Sequence, residues 1–299
     1  MGLGRLQAMH KQLDQAAGIR QMKKIKPVRV IAVTSGKGGV GKTNLSVNIG
    51  IALAQMGRRV ALLDADMGLA NVDILLGLYP KFNLSHVLAG EKTLDEIMLA
   101  GPSGLKVIPG ASGIQKMSEL STIEQAAVIR AFSEIDKDLD VLIVDTAAGI
   151  SASVVNFARA CKEIIVVVCD EPTSLTDAYA FIKLLNRDYG LASFHIITNM
   201  VQTLQQGQAL FQKLIKVTDH YLDDVTLQFA GAVPYDEYLR KSVQKQTPVV
   251  SAFPRSKAAL AVTAIAAKID NWPLKSQTGG YIEFFIERMI QYGSHEDVA

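Results

Sequence analysis

A glycine-rich loop between an apolar run and a helical pattern restricts this chain more than any other feature. The loop reads Gly-Lys-Gly-Gly-Val-Gly-Lys-Thr and has the P-loop spacing G-x-x-x-x-G-K-S/T. Its glycines let successive backbone N–H groups point at phosphate oxygens, and the next helix adds its positive N-terminal end. Lys42 can reach the β- and γ-phosphates, and the Thr43 hydroxyl can bind Mg²⁺. The predicted nucleotide-binding residues here are Gly36, Lys37, Gly38, Gly39, Val40, Gly41, Lys42, Thr43 and Asn44.

The rest of the chain alternates short apolar runs with longer helical patterns. The runs are typical of strands buried on both faces of a parallel sheet. They are Arg29–Thr34, Arg59–Asp64, Lys106–Pro109, Val141–Asp145, Ile164–Cys169, His195–Asn199 and Ala230–Val233. Crossover helices are predicted at Asn44–Met56, Ser121–Ile135 and Leu175–Tyr189. This alternation indicates an α/β fold with a doubly wound, mostly parallel sheet, whose ligands bind beyond the carboxyl ends of the strands.

Charge and turn residues divide the 299-residue chain into four parts. Residues 1–28 form a basic arm, and residues 29–270 form a single α/β domain. Residues 271–280 contain Pro, Ser and paired Gly and form a linker before a short helix and tail at 281–299. Up to Arg29 the net charge is +6 out of an overall +2, so the remainder carries −4. Such an arm suits an acidic partner or surface, and a solvated N-terminus is the alternative.

Composition disfavours membrane-spanning and secreted proteins. No apolar run approaches the ~20 residues of a membrane span. The N-terminus lacks the continuous apolar segment of a secretory signal. Cys161 and Cys169 lie in apolar surroundings, where reduced, buried thiols are the default. We therefore expect a cytoplasmic protein.

Carboxylates end two of the predicted strands. Asp64 and Asp66 are two residues apart, and alternation along a strand places both on one face, toward the phosphate loop. Asp145 ends the run Val141–Asp145 and takes the Walker B position, from which a carboxylate holds Mg²⁺ through water. Such a site acts by positioning water and neutralising charge, with little covalent chemistry.

Lys37 goes beyond the general motif. A second lysine at the start of the loop makes the chain resemble the deviant Walker A family, which includes the division-site ATPase MinD, the partition ATPases and the nitrogenase iron protein. The resemblance implies an ATP-dependent homodimer in which Lys37 reaches the partner's ATP. It implies catalytic roles for Lys37, Lys42 and Asp66, with Asp66 orienting the attacking water. It also implies that Thr43, Asp64 and Asp145 surround the Mg²⁺ that accompanies ATP or ADP.

Further nucleotide contacts are implied by the same resemblance. Asn199 matches the adenine-contacting asparagine of the family, and Pro234 and Asp236 match its purine-side loop. Glu171 lies in a stretch similar to a loop at the nucleotide and dimer face. At all of these positions a turn or a helix cap is the alternative.

The C-terminal segment predicts an amphipathic helix over Tyr281–Gln291. Its apolar stripe consists of Ile282, Phe285, Ile286, Met289 and Ile290. MinD-like ATPases end in a similar membrane-targeting helix, which implies reversible binding to anionic lipids at the inner face of the cytoplasmic membrane. One copy would bind weakly, so two copies in an ATP dimer would gain by avidity. The helix lacks a basic rim, and docking on its own domain is the alternative.

The arm contains the stretch Asp-Gln-Ala-Ala-Gly-Ile-Arg at residues 14–20. It resembles the DQAAGLR element of flagellar-number regulators of the FlhG (FleN) type, and the similarity extends to GLANVDILLG, DTAAGI and CDEPTS. The resemblance implies that this element stimulates the flagellar GTPase FlhF and that the protein controls flagellum number and placement at the cell pole. The implied arm residues are Asp14, Gln15, Ala16, Ala17, Gly18, Ile19 and Arg20. Flagellar C-ring switch proteins and a flagellar transcription activator are further implied partners.

Other functions of the same fold require features that this sequence has only in part. A DNA-partition ATPase would use basic surface patches, but positive charge is concentrated in the arm, so no direct nucleic-acid contact is expected. That function and a MinD-like division-site function remain the alternatives. An iron–sulfur protein would need cysteines placed to share a cluster, and the spacing of Cys161 and Cys169 disfavours this. A non-enzymatic sensor is disfavoured because Lys42, Asp66 and Asp145 are all present.

Overall fold

The computed structural model describes residues 28–66, 71–110, 129, 131–132, 139–273 and 282–293. Eight strands in these parts form one sheet in the order β3-β4-β2-β5-β1-β6-β7-β8. Their bounds are β1 Arg29–Ser35, β2 Val60–Ala65, β3 Leu99–Ala100, β4 Lys106–Pro109, β5 Val141–Ala148, β6 Glu163–Cys169, β7 Ser193–Val201 and β8 Thr226–Pro234. Every neighbouring pair is parallel except β3 and β4. The predicted mostly parallel sheet is confirmed.

Helices cover both faces of the sheet. They are α1 Lys42–Gln55, α2 Val72–Leu76, α3 Leu84–Leu88, α4 Leu94–Ile97, α5 Ala152–Ala160, α6 Pro172–Tyr189, α7 Leu204–Tyr221, α8 Glu237–Gln244, α9 Val249–Ala252, α10 Lys257–Asp270 and α11 Ile282–Gly293. On one face α1 and α10 share a core with the sheet. On the other face lie α5, α6, α7 and α11. The sheet is therefore doubly wound, as its alternating elements predict.

The central strands are buried on both sides, which explains their continuous apolar sequences. All six residues of β2 are buried. Leu62 belongs to the core beneath α1, whereas its neighbour Leu63 belongs to the core on the opposite face. Successive side chains of a strand point to opposite faces, so a strand between two helical layers needs apolar residues at both.

The predicted elements and the observed ones agree closely. All seven predicted strands occur, and their ends differ by at most four residues. The short antiparallel strand β3 was not predicted, because two residues show no periodicity. The predicted helix at Ser121–Ile135 lies almost wholly outside the described residues, as do the arm element at 14–20 and most of the linker. None of the helices in the described part is long and apolar enough to cross a membrane.

A buried polar cluster closes the amino end of the sheet, opposite the phosphate loop. The Arg29 guanidinium donates to the Trp272 carbonyl oxygen at 2.6 Å, and the Trp272 ring stacks on His195 with centroids 3.6 Å apart. His195 Nε2 lies 3.0 Å from Glu163 Oε2. These contacts fix the chain directly after α10, the last helix before the predicted linker.

Candidate nucleotide site

The phosphate loop, residues 36–41, joins the carboxyl end of β1 to the first turn of α1. Gly39 and Gly41 have φ angles of 80° and 84°, which favour glycine. A Cβ on Gly41 would lie 2.5 Å from Asn199 Nδ2, and one on Gly36 would lie 2.3 Å from the Asp177 backbone. Conformation and space thus both require glycine, and the loop presents its backbone at the start of a helix, where anions bind.

Asn199 supports the loop from the neighbouring part of the sheet. It is 4% exposed at the end of β7, and its Nδ2 donates to the Val40 carbonyl oxygen at 2.8 Å. The bond fixes the middle of the loop to β7. The proposed adenine contact of Asn199 stays a prediction.

Lys42 is buried beneath the loop. Its Nζ lies 3.0 Å from Asp145 Oδ1, and both side chains are shielded from solvent. The Ser46 hydroxyl, one turn further along α1, donates to the same oxygen at 2.7 Å. The other carboxylate oxygen of Asp145 is buried without a hydrogen-bond partner in the described structure. A buried carboxylate oxygen without a partner is costly, so this atom marks a place where a cation would be stabilised.

Asp64 lies beside Asp145 because β2 and β5 are parallel neighbours whose register pairs these two residues. Burial raises the pKa of Asp64 from 3.8 to about 7, and the negative charge of Asp145 adds to the increase. Backbone N–H groups of Asp66 and Val72 donate to its two oxygens at 3.2 and 3.3 Å and act in the opposite direction. Two carboxylates in adjacent strands therefore repel each other next to the phosphate loop.

The residues present fit a magnesium ion. The two carboxylates supply oxygen ligands, and Thr43 adds a half-buried hydroxyl at the start of α1. Asp145 offers one oxygen that nothing else uses. Asp66 follows the last residue of β2 directly and is partly exposed, whereas Asp64 is buried, so these two aspartates have different surroundings. The structure thus brings together Lys42, Asp64 and Asp145, with Thr43 and Asp66 next to them in the chain.

The raised pKa of Asp64 predicts a pH-dependent stability in the nucleotide-free protein. Because the folded state binds this proton more tightly than the unfolded chain, the stabilisation is complete below pH 3.8 and lost as the pH rises to about 7. The effect is at most about 1.4 kcal/mol per pH unit. In EDTA, the melting temperature of Asp64→Asn relative to wild type is expected to rise by several degrees between pH 4 and pH 8, as measured by calorimetry. A difference that does not change between these pH values would contradict the assignment.

Lys37 makes contacts within its own chain. Its Nζ lies 2.5 Å from Glu171 Oε2 and 3.0 Å from the Thr173 hydroxyl oxygen, at the start of α6. The hydrogen bond to Glu171 raises the pKa of Lys37, so this side chain stays charged. In this conformation the ammonium group is engaged with α6.

The remaining predicted nucleotide contacts lie at ends of elements. Asp236 caps two helices, since its oxygens accept from Tyr238 N at 2.9 Å and Ala258 N at 3.0 Å. Pro234 ends β8, and Glu171 precedes α6. Asp236 therefore caps helices, which was the alternative role predicted for it from the sequence. The base contacts of Pro234 and Asp236 stay predictions.

Two polar residues of the site were not found from the sequence. Ser46 lies four residues after Lys42, on the same side of α1, so helical spacing offered a signal for it. Thr173 lies in the stretch that was singled out, but its contact with Lys37 joins residues 136 positions apart. Such a contact depends on the tertiary fold and has no signature in the local sequence.

The C-terminal helix α11 is docked on its own domain. Phe285, Ile286, Met289 and Ile290 are each 5% exposed or less and belong to the core beside β1 and β5. The Phe285 ring stacks on Phe157 of α5 at 6.3 Å. Four residues of the predicted apolar stripe are therefore buried, the side chain of Ile282 lies outside the described part, and binding of the stripe to a membrane stays a prediction. Here it faces protein, as the alternative expected.

Comparison with known proteins identifies the family. A family model described as "ParA: NUBPL iron-transfer P-loop NTPase" matches residues 26–270. The chain belongs to the ParA/MinD family of P-loop NTPases. The antiactivator FleN of Pseudomonas aeruginosa is 58% identical over 274 residues, which cover 92% of this chain and 98% of FleN. The flagellum site-determining protein YlxH of Helicobacter pylori is 32% identical over 268 residues, with coverages of 88% and 90%.

A solved structure supports the same assignment for this ParA/MinD ATPase. The MinC:MinD cell division protein complex of Aquifex aeolicus matches with a TM-score of 0.65 at 26% identity, over 84% of this chain and 99% of the other. The predicted fold, the resemblance to this family and the ATPase class are confirmed. Lys37, the lysine typical of the deviant Walker A loop, therefore lies in a fold of that family.

Proposed function

We propose that this ATPase is an ATP-dependent, dimerising and membrane-associating switch that regulates flagellum number and placement. The likeness to FleN and YlxH supports the flagellar role. The observation that carries the switch is the position of α5, which begins three residues after Gly149 and packs on its far side against α11. One short helix thus connects the nucleotide site to the apolar stripe.

The site residues suit hydrolysis of ATP with Mg²⁺. Mg²⁺, when bound, would neutralise part of the phosphate charge. Thr43, Asp64 and Asp145 would hold the ion, and Lys42 would turn from Asp145 to the phosphates. Asp66 would orient the attacking water from the end of β2. Turnover then depends on positioned charge, since these residues supply no covalent nucleophile.

Lys37 is proposed to complete the site of a second copy. In the described conformation Glu171 and Thr173 hold its ammonium group. This pair is half-exposed, so it contributes little stability and is easily exchanged. The γ-phosphate of ATP in a facing copy would carry more negative charge than Glu171 and be less exposed to water. Exchange of Glu171 for this phosphate as the partner of Lys37 would therefore favour the ATP-bound homodimer.

Dimerisation is proposed to release α11 for the membrane. Gly149 has a φ of 98°, and its N–H donates to the Ser35 carbonyl oxygen at 2.8 Å, so this turn lies directly beside the phosphate loop. A shift of the turn would move α5 and weaken the contact between Phe157 and Phe285. Two freed helices would bind anionic lipids together, which places the protein reversibly at the inner face of the cytoplasmic membrane.

Liposome binding tests the switch. With Mg²⁺ and a slowly hydrolysed ATP analogue, the protein is expected to be dimeric and to sediment with anionic liposomes. With ADP it is expected to be monomeric and to stay in solution, because the stripe is buried. The matched control is Ile290→Asp, which should still dimerise with the analogue but lose liposome binding. Equal lipid binding in the two nucleotide states would refute the switch.

The basic arm is proposed to stimulate the flagellar GTPase FlhF through residues 14–20. A synthetic peptide spanning residues 1–29 is expected to accelerate GTP hydrolysis by FlhF, measured as phosphate release under multiple turnover. A peptide with Asp14→Ala and Arg20→Ala has the same length and the same net charge, so it separates the element from the arm's general positive charge. Equal stimulation by both peptides would leave only an electrostatic role, and no stimulation would dismiss the arm from this function.

Further partners follow from the same family. The name of FleN, an antiactivator, supports contact with a flagellar transcription activator. Contact with C-ring switch proteins is proposed on the same flagellar role. Both partners would distinguish the ATP-bound state from the ADP-bound state, since dimerisation and release of α11 change the surface that a partner contacts.

A further inference from the structure

A cleft runs along the outer edge of β8, from Phe229 to Pro234 at the carboxyl end of the strand. Its volume is about 620 Å³, within the ~300–1,000 Å³ typical of ligand pockets. The edge strand forms its floor, the start of α7 one wall and α10 the other. The lining is mostly apolar, and it includes Leu204 and Leu260, which are 55% and 58% exposed. We call this the β8 cleft.

The two walls lie on opposite faces of the sheet. The α10 wall belongs to the core with α1, whereas α7 belongs to the core on the other face. A Cβ on Gly231 would lie 2.5 Å from Ile265 Cγ1, so the strand and α10 are in close contact there. The cleft therefore opens sideways from the sheet, between two helices, where another strand would lie.

The outer edge of β8 lacks the charged side chains that commonly oppose strand pairing. No described strand pairs with its outer side. The strand is nine residues long and contains no charged residue. Its one proline, Pro234, is its last residue, and its ladder to β7 has two irregularities, at Ala230 of β8 and at Met200 of β7. Edge strands are commonly protected by charge, proline or a covering element. An edge that is uncharged and set in an apolar cleft suits strand addition.

Two lysines give the cleft a charge pattern. Lys257 and Lys268 both line the α10 wall, and Lys268 Nζ lies 6.0 Å from the centre of the Phe229 ring. Eleven residues along a helix span about 16 Å. In a strand this length corresponds to about five residues, and only even spacings place two side chains on one face. Carboxylates four residues apart fit within the reach of the long side chains.

We infer that the β8 cleft binds an extended segment of another protein, which adds a strand to β8 and sets carboxylates four residues apart against Lys257 and Lys268. The basic arm of this chain has the wrong charge for the site. A second copy paired antiparallel through β8 would bring the two α10 lysines of one copy near those of the other, and like charges repel. A partner with acidic residues on one face avoids both conflicts.

Two synthetic peptides test the inference on the full-length protein. The probe is Ser-Glu-Thr-Val-Thr-Glu-Thr-Ser, which places both glutamates and the valine on one face of a strand. The second peptide has lysine in place of both glutamates. Fluorescence anisotropy is expected to show at least tenfold tighter binding of the glutamate peptide. Hydrogen exchange of the amides of β8 is expected to slow when it binds.

Protein variants separate this site from general charge attraction. Lys268→Glu should reverse the preference between the peptides, and Leu260→Arg should abolish binding by filling the cleft. Lys216→Glu is the matched control, since this exposed lysine on α7 does not line the cleft. All three variants should keep wild-type nucleotide binding.

Several results would overturn the inference. They are equal affinity for both peptides, an equal effect of Lys216→Glu and Lys268→Glu, unchanged exchange in β8, or no binding at about 1 mM peptide, a free energy near −4 kcal/mol. Self-association that Leu260→Arg abolishes would instead assign the cleft to a second copy.

Discussion

Replacing Lys42 with alanine is expected to abolish nucleotide binding. The ammonium group lies 3.0 Å from Asp145 in a buried setting, and Asp64 is the register neighbour of that carboxylate. Without Lys42, two buried carboxylates face the phosphates with no positive charge between them. A lost charged hydrogen bond costs about 1.5–3 kcal/mol, and breaking a buried ion pair adds to it. Titration calorimetry with ATP and Mg²⁺ should show affinity reduced at least about 100-fold.

The matched control for this experiment is the other lysine of the loop. Lys37→Ala should bind ATP nearly as well as wild type, because the described Lys37 contacts Glu171 and Thr173 on α6. It should fail to dimerise with the ATP analogue in light scattering. Circular dichroism must show that Lys42→Ala is folded. A folded Lys42→Ala protein that binds ATP within tenfold of wild type would remove Lys42 from the phosphate contact.

The sequence predicted most of the sheet because buried parallel strands leave a strong signal. Residues such as Leu62 and Leu63 must both be apolar when each face of β2 is covered. The phosphate loop was equally visible, since its φ angles and close contacts demand glycine at fixed positions. What the sequence left open was tertiary pairing. The raised pKa of Asp64 arises from burial and from a register neighbour 81 residues away.

The C-terminal helix shows where periodicity stops being informative. A stripe formed by Phe285, Ile286, Met289 and Ile290 predicts only that one face avoids water. A bilayer and a protein core satisfy that requirement equally, so both interpretations remained open. In the described structure Phe285 contacts Phe157, so the stripe packs against protein. The contact between Glu171 and Lys37 could not be predicted either, because a charge pattern in the sequence does not show which group a lysine contacts.

Replacing Asp66 with alanine is expected to stop turnover without loss of ATP binding. Asp66 follows β2 and is partly exposed, whereas Asp64 is buried beside Asp145. Removing the outer carboxylate leaves the contact between Lys42 and Asp145 in place. A side chain that positions or deprotonates the attacking water contributes typically 10²–10⁴-fold, so kcat should fall at least about 100-fold. Phosphate release measures the loss, and calorimetry should show ATP affinity within a few-fold of wild type.

The same variant links hydrolysis to the proposed switch. With ATP that is not cleaved, Asp66→Ala should accumulate as a dimer and stay on anionic liposomes in ordinary ATP, a state that wild type leaves as it hydrolyses. Asp188→Ala, which removes an exposed carboxylate near the end of α6, should behave as wild type. Unchanged phosphate release in Asp66→Ala would remove this residue from the reaction. An Asp66→Ala protein that binds ATP without hydrolysing it but stays monomeric would show that ATP binding does not drive dimerisation. The proposed release of α11 by ATP would then have no explanation.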